Sequence, residues 1–328
     1  MLDNIPTRNL ALELVRVTEA AALAAGRFMG RGEKEAADHA AVEAMRLVLK
    51  SVEMDGVIVI GEGEKDNAPM LYNGEHVGNG SPPELDVAVD PIDGTRPLAF
   101  GRANSIAVVA LAPRGAMFNP GPFVYMNKIA VGPEAKGRIN IEKSITENLK
   151  AIAKAKGKAV EDLTTIILDR DRHKEMIAEI RKAGARIRQI PDGDVAAALM
   201  TAMPDTGVDV LFGVGGTPEG VITACALRAM GGEIQGKLYA RDEHELRNGR
   251  EAGFDFEKIL TMDDLVSSED VFFAATGITD GELMQGVRYY GDGATTDSLV
   301  VRGLTGTVRQ MTAHHRIDKL HLLSAIKY

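Results

Sequence analysis

Leu85-Asp86-Val87-Ala88-Val89-Asp90-Pro91-Ile92-Asp93-Gly94-Thr95 is the stretch from which the rest of the chain can be read. Residues 85–89 have the apolar, β-branched character of a strand. Pro91 lacks an N–H and is expected to break that strand just after Asp90. Gly94 lets the chain turn at positive φ without a side-chain clash. Two carboxylates and a hydroxyl, those of Asp90, Asp93 and Thr95, can therefore be aimed at one point from a strand end. Hard cations such as Mg²⁺ and Mn²⁺ prefer such oxygen ligands.

Further acids lie to either side. Residues 57–60 read as a strand that ends in Gly61-Glu62-Gly63-Glu64, with Asp66 close behind. Before it, Leu10, Leu14, Val17, Ala21, Ala24 and Phe28 recur at helical spacing and stop at Gly30-Arg31-Gly32. A second helix begins near Glu35, with Asp38 on the face shared by Val42, Met45, Leu49 and Val52. Glu219 follows Gly215-Gly216-Thr217-Pro218. Taken singly, such acids have ordinary explanations. Asp38 reads as a capping group, and Glu219 as a first-turn residue favoured by the helix dipole. The six-residue string 90–95 is too specific for that treatment.

Beyond the string, 105–112 and 126–131 read as strands, and 118–123, rich in Pro and Gly, as a loop. Strand and helix then alternate three times, as 164–168 with 172–182, 185–190 with 195–203, and 208–214 with 218–230. That rhythm predicts a parallel sheet with helices on its faces. Ligands bind such sheets at the carboxyl ends of the strands, so loops 169–173, 192–194 and 213–219 should share one edge. Arg170 and Arg172 offer guanidinium forks for phosphate. Asp192 and Asp194 offer acceptors for sugar hydroxyls, Gly193 permits close backbone approach, and Gly215-Gly216 presents N–H groups ahead of a helix. Tyr125 and Lys128 read as an edge aromatic and a solvated lysine, and Lys34 as a further possible phosphate group. A mostly helical segment, 140–158, bridges the two halves. The division is expected at 1–139, carrying the acidic string, and 140–328, carrying the parallel sheet. Strands at 271–275, 298–301 and 307–312 cannot be allotted to either sheet.

Composition narrows the classes. The chain has 328 residues, 45% hydrophobic and 26% charged, with a net charge of −9. An acidic chain without Trp has no basic footprint for nucleic acid. Bound divalent cations would reconcile that acidity with a phosphate ligand. No run is long and apolar enough to span a bilayer, and no signal peptide is visible. The one cysteine, Cys225, supports neither a disulfide framework nor a thiolate metal site, and a reducing cytoplasm is the expected compartment.

The string 90–95 resembles the signature of the lithium-sensitive metal-dependent phosphatases, which include inositol monophosphatases and fructose-1,6-bisphosphatases. Gly30-Arg31-Gly32-Glu33-Lys34, Ile58-Val59-Ile60-Gly61-Glu62-Gly63-Glu64, Ala68-Pro69-Met70-Leu71-Tyr72, Pro191-Asp192-Gly193-Asp194, Gly215-Gly216-Thr217-Pro218-Glu219-Gly220 and Ala274-Ala275-Thr276-Gly277 narrow the resemblance to the class II fructose-1,6-bisphosphatases. It extends from about residue 8 to about 312. The resemblance implies the sugar-phosphatase fold, an α/β protein of alternating αβαβα layers with two packed sheet domains. It implies hydrolysis of the 1-phosphate of fructose 1,6-bisphosphate with Mn²⁺ or Mg²⁺, in gluconeogenesis. It implies metal ligands at Asp38, Glu62, Asp90, Asp93 and Glu219. Substrate contacts are implied at Asp93, Gly94, Thr95, Tyr125, Arg170, Asp171, Arg172, Asp192, Gly193, Asp194 and Gly216. Thr95 would hold the attacking water, with Glu62 or Asp66 accepting from that network. A homo-oligomer, dimer or tetramer, is expected. Two positions depart from the family pattern. Asp93 stands where Glu is usual, one methylene shorter, and Asp171 interrupts an expected Arg-Pro-Arg or Lys-Pro-Arg.

Rival readings remain. An inositol monophosphatase would share 90–95 without needing the arginines, and a dual fructose/sedoheptulose bisphosphatase would differ by few contacts. A dinucleotide-binding turn at 213–216 has Pro218 where its third glycine should stand. A catalytically dead sugar-phosphate sensor would not need Asp90, Asp93 and Thr95 intact.

Overall fold

The computed structural model describes residues 8–63, 70–121, 123, 125–323, 325–326 and 328. Glu64 and Asp66 of the second acidic set lie outside the described residues. The chain begins with α1 (Ala11–Ala25), α2 (Lys34–Leu49), β1 (Asp55–Ile60), β2 (His76–Val77), β3 (Glu84–Asp93), α3 (Thr95–Ala99), β4 (Ile106–Pro113) and β5 (Tyr125–Val131). It continues with α4 (Ile145–Lys156), β6 (Thr164–Leu168), α5 (Lys174–Ala183), β7 (Arg186–Ile190), α6 (Asp194–Met200), β8 (Val210–Gly216) and α7 (Thr217–Met230). The last part holds β9 (Glu233–Leu238), α8 (Glu243–Glu251), α9 (Met262–Leu265), β10 (Phe272–Gly277), β11 (Arg288–Tyr290), β12 (Gly293–Arg302), β13 (Thr307–Arg316) and α10 (Ile317–Leu323).

Two mixed sheets result. The larger has the order β11-β12-β10-β4-β3-β1-β2, with β13 paired to the outer side of β12. The tail strands thus belong to this sheet, joined through antiparallel pairing of β10 with β4. The smaller has the order β7-β6-β8-β5-β9. The expected parallel sheet is its β7-β6-β8 part, while β5 runs antiparallel to both β8 and β9.

Alternation along β4 shows how the layers stack. Ala107, Val109 and Leu111 pack with α1 and α2, while Ile106, Val108 and Ala110 face α6 and α7. The smaller sheet repeats the pattern. Met126, Ile166 and Leu211 join that same middle core, and Ile129, Ile167 and Phe212 pack under α4 and α5. The order is therefore α1/α2, larger sheet, α6/α7, smaller sheet, α4/α5, the five layers expected of the fold. Each fully buried aliphatic side chain contributes roughly 1.5–3 kcal/mol, and β4 is buried along both faces. Helix ends follow local chemistry. Ser144 and Glu147 form a capping box on α4, and Gly157 closes that helix in the left-handed conformation.

Pro91 does not end the strand as expected. β3 runs through to Asp93, and its register against β4 slips, with Asp90 opposite Val108 and Asp93 opposite Ile106. Three steps on one strand answer two on the other, which is a β-bulge. In a regular strand, side chains three apart point to opposite faces. The extra residue restores the parity, so Asp90 and Asp93 both face the middle helical layer with Val108 and Ile106.

Candidate active site

The bulge opens into a cleft of about 420 Å³ between the two sheets and α7. Asp90, Asp93, Gly94 and Thr95 line it from the end of β3. Glu62 reaches it from the turn after β1, Asp38 from α2, and Glu219 from the first turn of α7. The five carboxylates implied as ligands, brought from four separate parts of the chain, thus share one cavity.

Among the described residues, none of the five forms a salt bridge with Lys, Arg or His. Asp90 Oδ1 accepts from the Ile92 N–H at 3.0 Å, and Asp93 Oδ2 from the Ala196 N–H at 3.1 Å. Glu219 Oε2 is buried without a hydrogen-bond partner among the described residues. Burial, then Asp38 and Glu219, pushes the Glu62 carboxyl up to about 7. Burial and Asp194 push Glu219 up to about 7, with Lys128 opposing. Asp90 is raised well above the usual carboxylate range by burial and by Asp93, Glu219 and Glu62; Asp93 is raised by burial and Asp194. Burial also raises Asp38.

Such a donor set fits hard divalent cations, which take carboxylate oxygens and favour the charged form of each. Among the described residues, no three His, Cys, Asp or Glu side chains already stand as a ready ion cage.

The opposite wall comes from the smaller sheet. Tyr125, Arg170, Arg172, Asp192, Gly193 and Gly216 all line the cleft. Arg170 Nη2 lies 3.4 Å from Asp192 Oδ1, and Arg172 donates Nε and Nη2 to the Val214 carbonyl at 3.0 and 2.7 Å. The Arg172 guanidinium also stands 5.3 Å from the Tyr125 ring centre, and that of Arg241 5.8 Å from the same ring. Asp171 stands apart from the cleft, its side chain 94% exposed and paired with Lys174 at 2.8 Å.

Lys128 corrects an expectation. Rather than solvated, it is buried, 2.7 Å from Asp194 Oδ2 and 3.0 Å from the Gly216 carbonyl oxygen. Asp194 lines the cleft, yet one of its oxygens is committed to that lysine. A Cβ at Gly215 would stand 1.9 Å from Asp194 Oδ2, and one at Gly216 1.5 Å from Glu219 Oε2, so glycine at both positions leaves room for the acids beside them. Glycine pairs ahead of a helix suggested an anion turn in the sequence; their role as room for carboxylates was not legible there. His173 and Asn104, whose carbonyl approaches Gly193, were also missed. The one signal for Asn104 is residue type, since Asn tolerates the positive φ of +73° that it adopts.

Comparison with known proteins follows the same line. Residues 8–315 match the family described as bacterial fructose-1,6-bisphosphatase, glpX-encoded. Fructose-1,6-bisphosphatase 1 class 2 of Escherichia coli (strain K12) is 47% identical over 325 residues, covering 95% of this chain and 96% of that protein. Fructose-1,6-bisphosphatase class 2 of Escherichia coli O6:H1 and that of Shigella flexneri are 47% identical over the same shares.

Proposed function

The chain belongs to the bacterial class II fructose-1,6-bisphosphatases, a family of metal-dependent phosphatases, and from that membership we propose the following account of its reaction. It hydrolyses fructose 1,6-bisphosphate in gluconeogenesis, water displacing fructose 6-phosphate from the 1-phosphoryl group to release inorganic phosphate. The observation that carries the reading is one cleft with unneutralised carboxylates at one end and two arginines at the other. That is the polarity a bisphosphate needs.

Asp38, Glu62, Asp90, Asp93 and Glu219 would hold the divalent cations, Mn²⁺ or Mg²⁺. When bound, such ions neutralise the phosphoryl oxygens and the alkoxide that leaves. The chain's own groups do the rest. Thr95 Oγ1 donates to the Ile92 carbonyl at 3.2 Å, which fixes its hydroxyl and leaves its lone pairs to accept from the attacking water. Glu62, and Asp66 beyond the described residues, are the acceptors assigned to that water's proton. Arg170 and Arg172 receive the second phosphate. Arg172 spends two of its five N–H groups on Val214 and keeps the remainder for anion oxygens. Gly193 and Gly216, both lining the cleft, offer the sugar their backbone groups, and Asp192 and Asp194 accept from its hydroxyls.

A homo-oligomer, dimer or tetramer, is supported by β13, ten residues at the outer edge of the larger sheet and exposed along most of its length. An open edge of this kind is one that a second copy can satisfy by strand pairing. A cytoplasmic enzyme is supported by the lone, buried, unpaired Cys225. Among the described residues no helix is long and apolar enough to cross a membrane.

Phosphate release from fructose 1,6-bisphosphate, sedoheptulose 1,7-bisphosphate and inositol 1-phosphate, with Mg²⁺ or Mn²⁺ and an EDTA control, tests the reading. Fructose 1,6-bisphosphate should be cleaved and EDTA should abolish release. A preference for inositol 1-phosphate would overturn it.

A further inference from the structure

The strands of the smaller sheet part company at the cleft. β6 stays paired with β7 up to Leu168 opposite Ile190, and β8 stays paired with β5 up to Gly216 opposite Tyr125. Between β6 and β8, pairing stops after Thr165–Val210 and Ile166–Leu211. This is also where the order of the parallel strands reverses, β7 lying on one side of β6 and β8 on the other. Open α/β sheets bind ligands in the crevice at such a reversal.

His173 fills the opening. Continued in register, Leu168 would face Gly213, and the slanted bonds of a parallel ladder would carry the Leu168 carbonyl to the Val214 N–H. Instead the imidazole stands between those two groups. Its Nδ1 lies 2.7 Å from the Leu168 carbonyl oxygen, and its Nε2 accepts from the Val214 N–H at 2.8 Å. The ring donates on one side and accepts on the other, so it is a neutral, Nδ1-protonated imidazole. Burial, which lowers its pKa, agrees. Its side chain is fully buried, and it takes no part in the reaction described above. A Cβ at Gly213 would stand 3.1 Å from His173 Cε1 at a φ of +140°, so glycine there makes room for the ring.

The neighbouring residue uses the same anchor. Arg172 donates twice to the Val214 carbonyl while His173 accepts from the Val214 N–H. Val214 is thus gripped on both its polar groups by consecutive residues of the loop after β6. That grip ties the arginine loop to the strand that leads into Gly215 and Gly216.

We propose that His173 is a positioning residue, wedging β6 from β8 and fixing Arg172 against the glycine turn at the spacing that the second phosphate of the substrate requires. The proposal rests on the reading that the Arg170–Arg172 loop receives that phosphate. Its signature is therefore the advantage of a bisphosphate over a monophosphate, rather than activity as such.

The experiment compares kcat/KM for fructose 1,6-bisphosphate with that for fructose 1-phosphate in His173→Leu, His173→Asn and His173→Gln, beside Arg172→Ala. Leu removes both contacts, and Asn is too short to bridge them. Gln offers an amide donor and a carbonyl acceptor at imidazole-like spacing. The bisphosphate-to-monophosphate ratio should fall about ten-fold or more in Leu and Asn, chiefly through KM for the bisphosphate, and stay within about three-fold in Gln. Should Leu fail to fold, the Asn–Gln contrast carries the test. An unchanged ratio in Asn, with a lowered ratio in Arg172→Ala, overturns the role of His173 alone. An unchanged ratio in Arg172→Ala overturns the assignment of the loop to the second phosphate, and the proposal with it.

Discussion

Lys128 Nζ lies 2.7 Å from Asp194 Oδ2, an ion pair whose side chains are 2% and 7% exposed. It sets a positive charge among the acids of the cleft floor, since Asp194 in turn bears on Asp93 and Glu219. Removing one member of a buried pair leaves the other uncompensated, at a cost of about 3–5 kcal/mol. Lys128→Met should lower unfolding free energy by that order in urea denaturation, and adding Asp194→Asn should recover part of it. Equal stability of Lys128→Met and the parent would refute the compensating role.

The glycine at 216 makes a sharper claim about the acid beside it. A Cβ there would overlap Glu219 Oε2 at 1.5 Å, so Gly216→Ala must push that carboxylate aside. Mn²⁺ affinity should weaken by about ten-fold or more in calorimetric titration, as a displaced or lost ligand does. Asp90→Asn should weaken it similarly. Parent-like affinity in both variants would remove the cations from this cavity.

Metal binding should depend on pH in a definite direction. Glu62 and Glu219 hold their protons up to about 7 in the cation-free protein. A cation must displace those protons below that pH and need not above it. The part of the apparent affinity for Mn²⁺ or Mg²⁺ that these two groups govern should therefore climb from pH 5.5 to about pH 7 and level off beyond, with proton release from them only on the rising part. Titrations in buffers of different ionisation enthalpy would report it, and a flat profile would contradict the carboxylate assignment.

Thr95→Ala should fold normally, since the lost hydrogen bond to the Ile92 carbonyl is worth about 1 kcal/mol. Turnover should drop by about 10²–10³-fold with little change in KM, the pattern of a group that acts in the transition state. Undiminished kcat would remove Thr95 from the reaction.

Away from the cleft, Glu19 of α1 is raised from 4.5 to about 7, chiefly by burial, with the Thr296 hydroxyl opposing. The native chain then binds the extra proton between those two values, so this group's contribution falls as pH rises from 4.5 to 7 and stays low above. Glu19→Gln removes that loss. It should raise the thermal midpoint at pH 8, by an amount corresponding to at most about 3 kcal/mol, and hardly alter it at pH 4.5. An equal effect at both would show that the carboxyl is not held protonated.

Much of this was legible in the residues because the relevant patterns are local. The strand before Asp90, the amphipathic helices and the three strand–helix alternations all announce themselves within a dozen positions. What was lost depends on distant partners. β10, β12 and β13 read as strands, but nothing within them says that β4 is the neighbour they find. The strand at β9 alternates half-buried and buried positions regularly, but Gly236 at its middle inward position leaves too little apolar signal in the sequence to stand out. Pro91 was expected to end β3 because the bulge that accommodates it is set by the register of β4. Lys128 looked like a surface residue because a lone lysine in a strand usually is one; only folding brings Asp194 over it. His173 gave no local sign at all, since its partners are backbone groups of two different strands.

The middle helical layer has one more consequence. α7 is packed on both flanks, against the larger sheet on one side and the smaller on the other. A rod clamped along two sides cannot swing like a lid, and the sheets cannot slide past each other without shearing it. The distance from the acidic end of the cavity to its basic end is thus cast into the scaffold. The molecule measures its substrate as a fixed gauge does, against a length it cannot easily change.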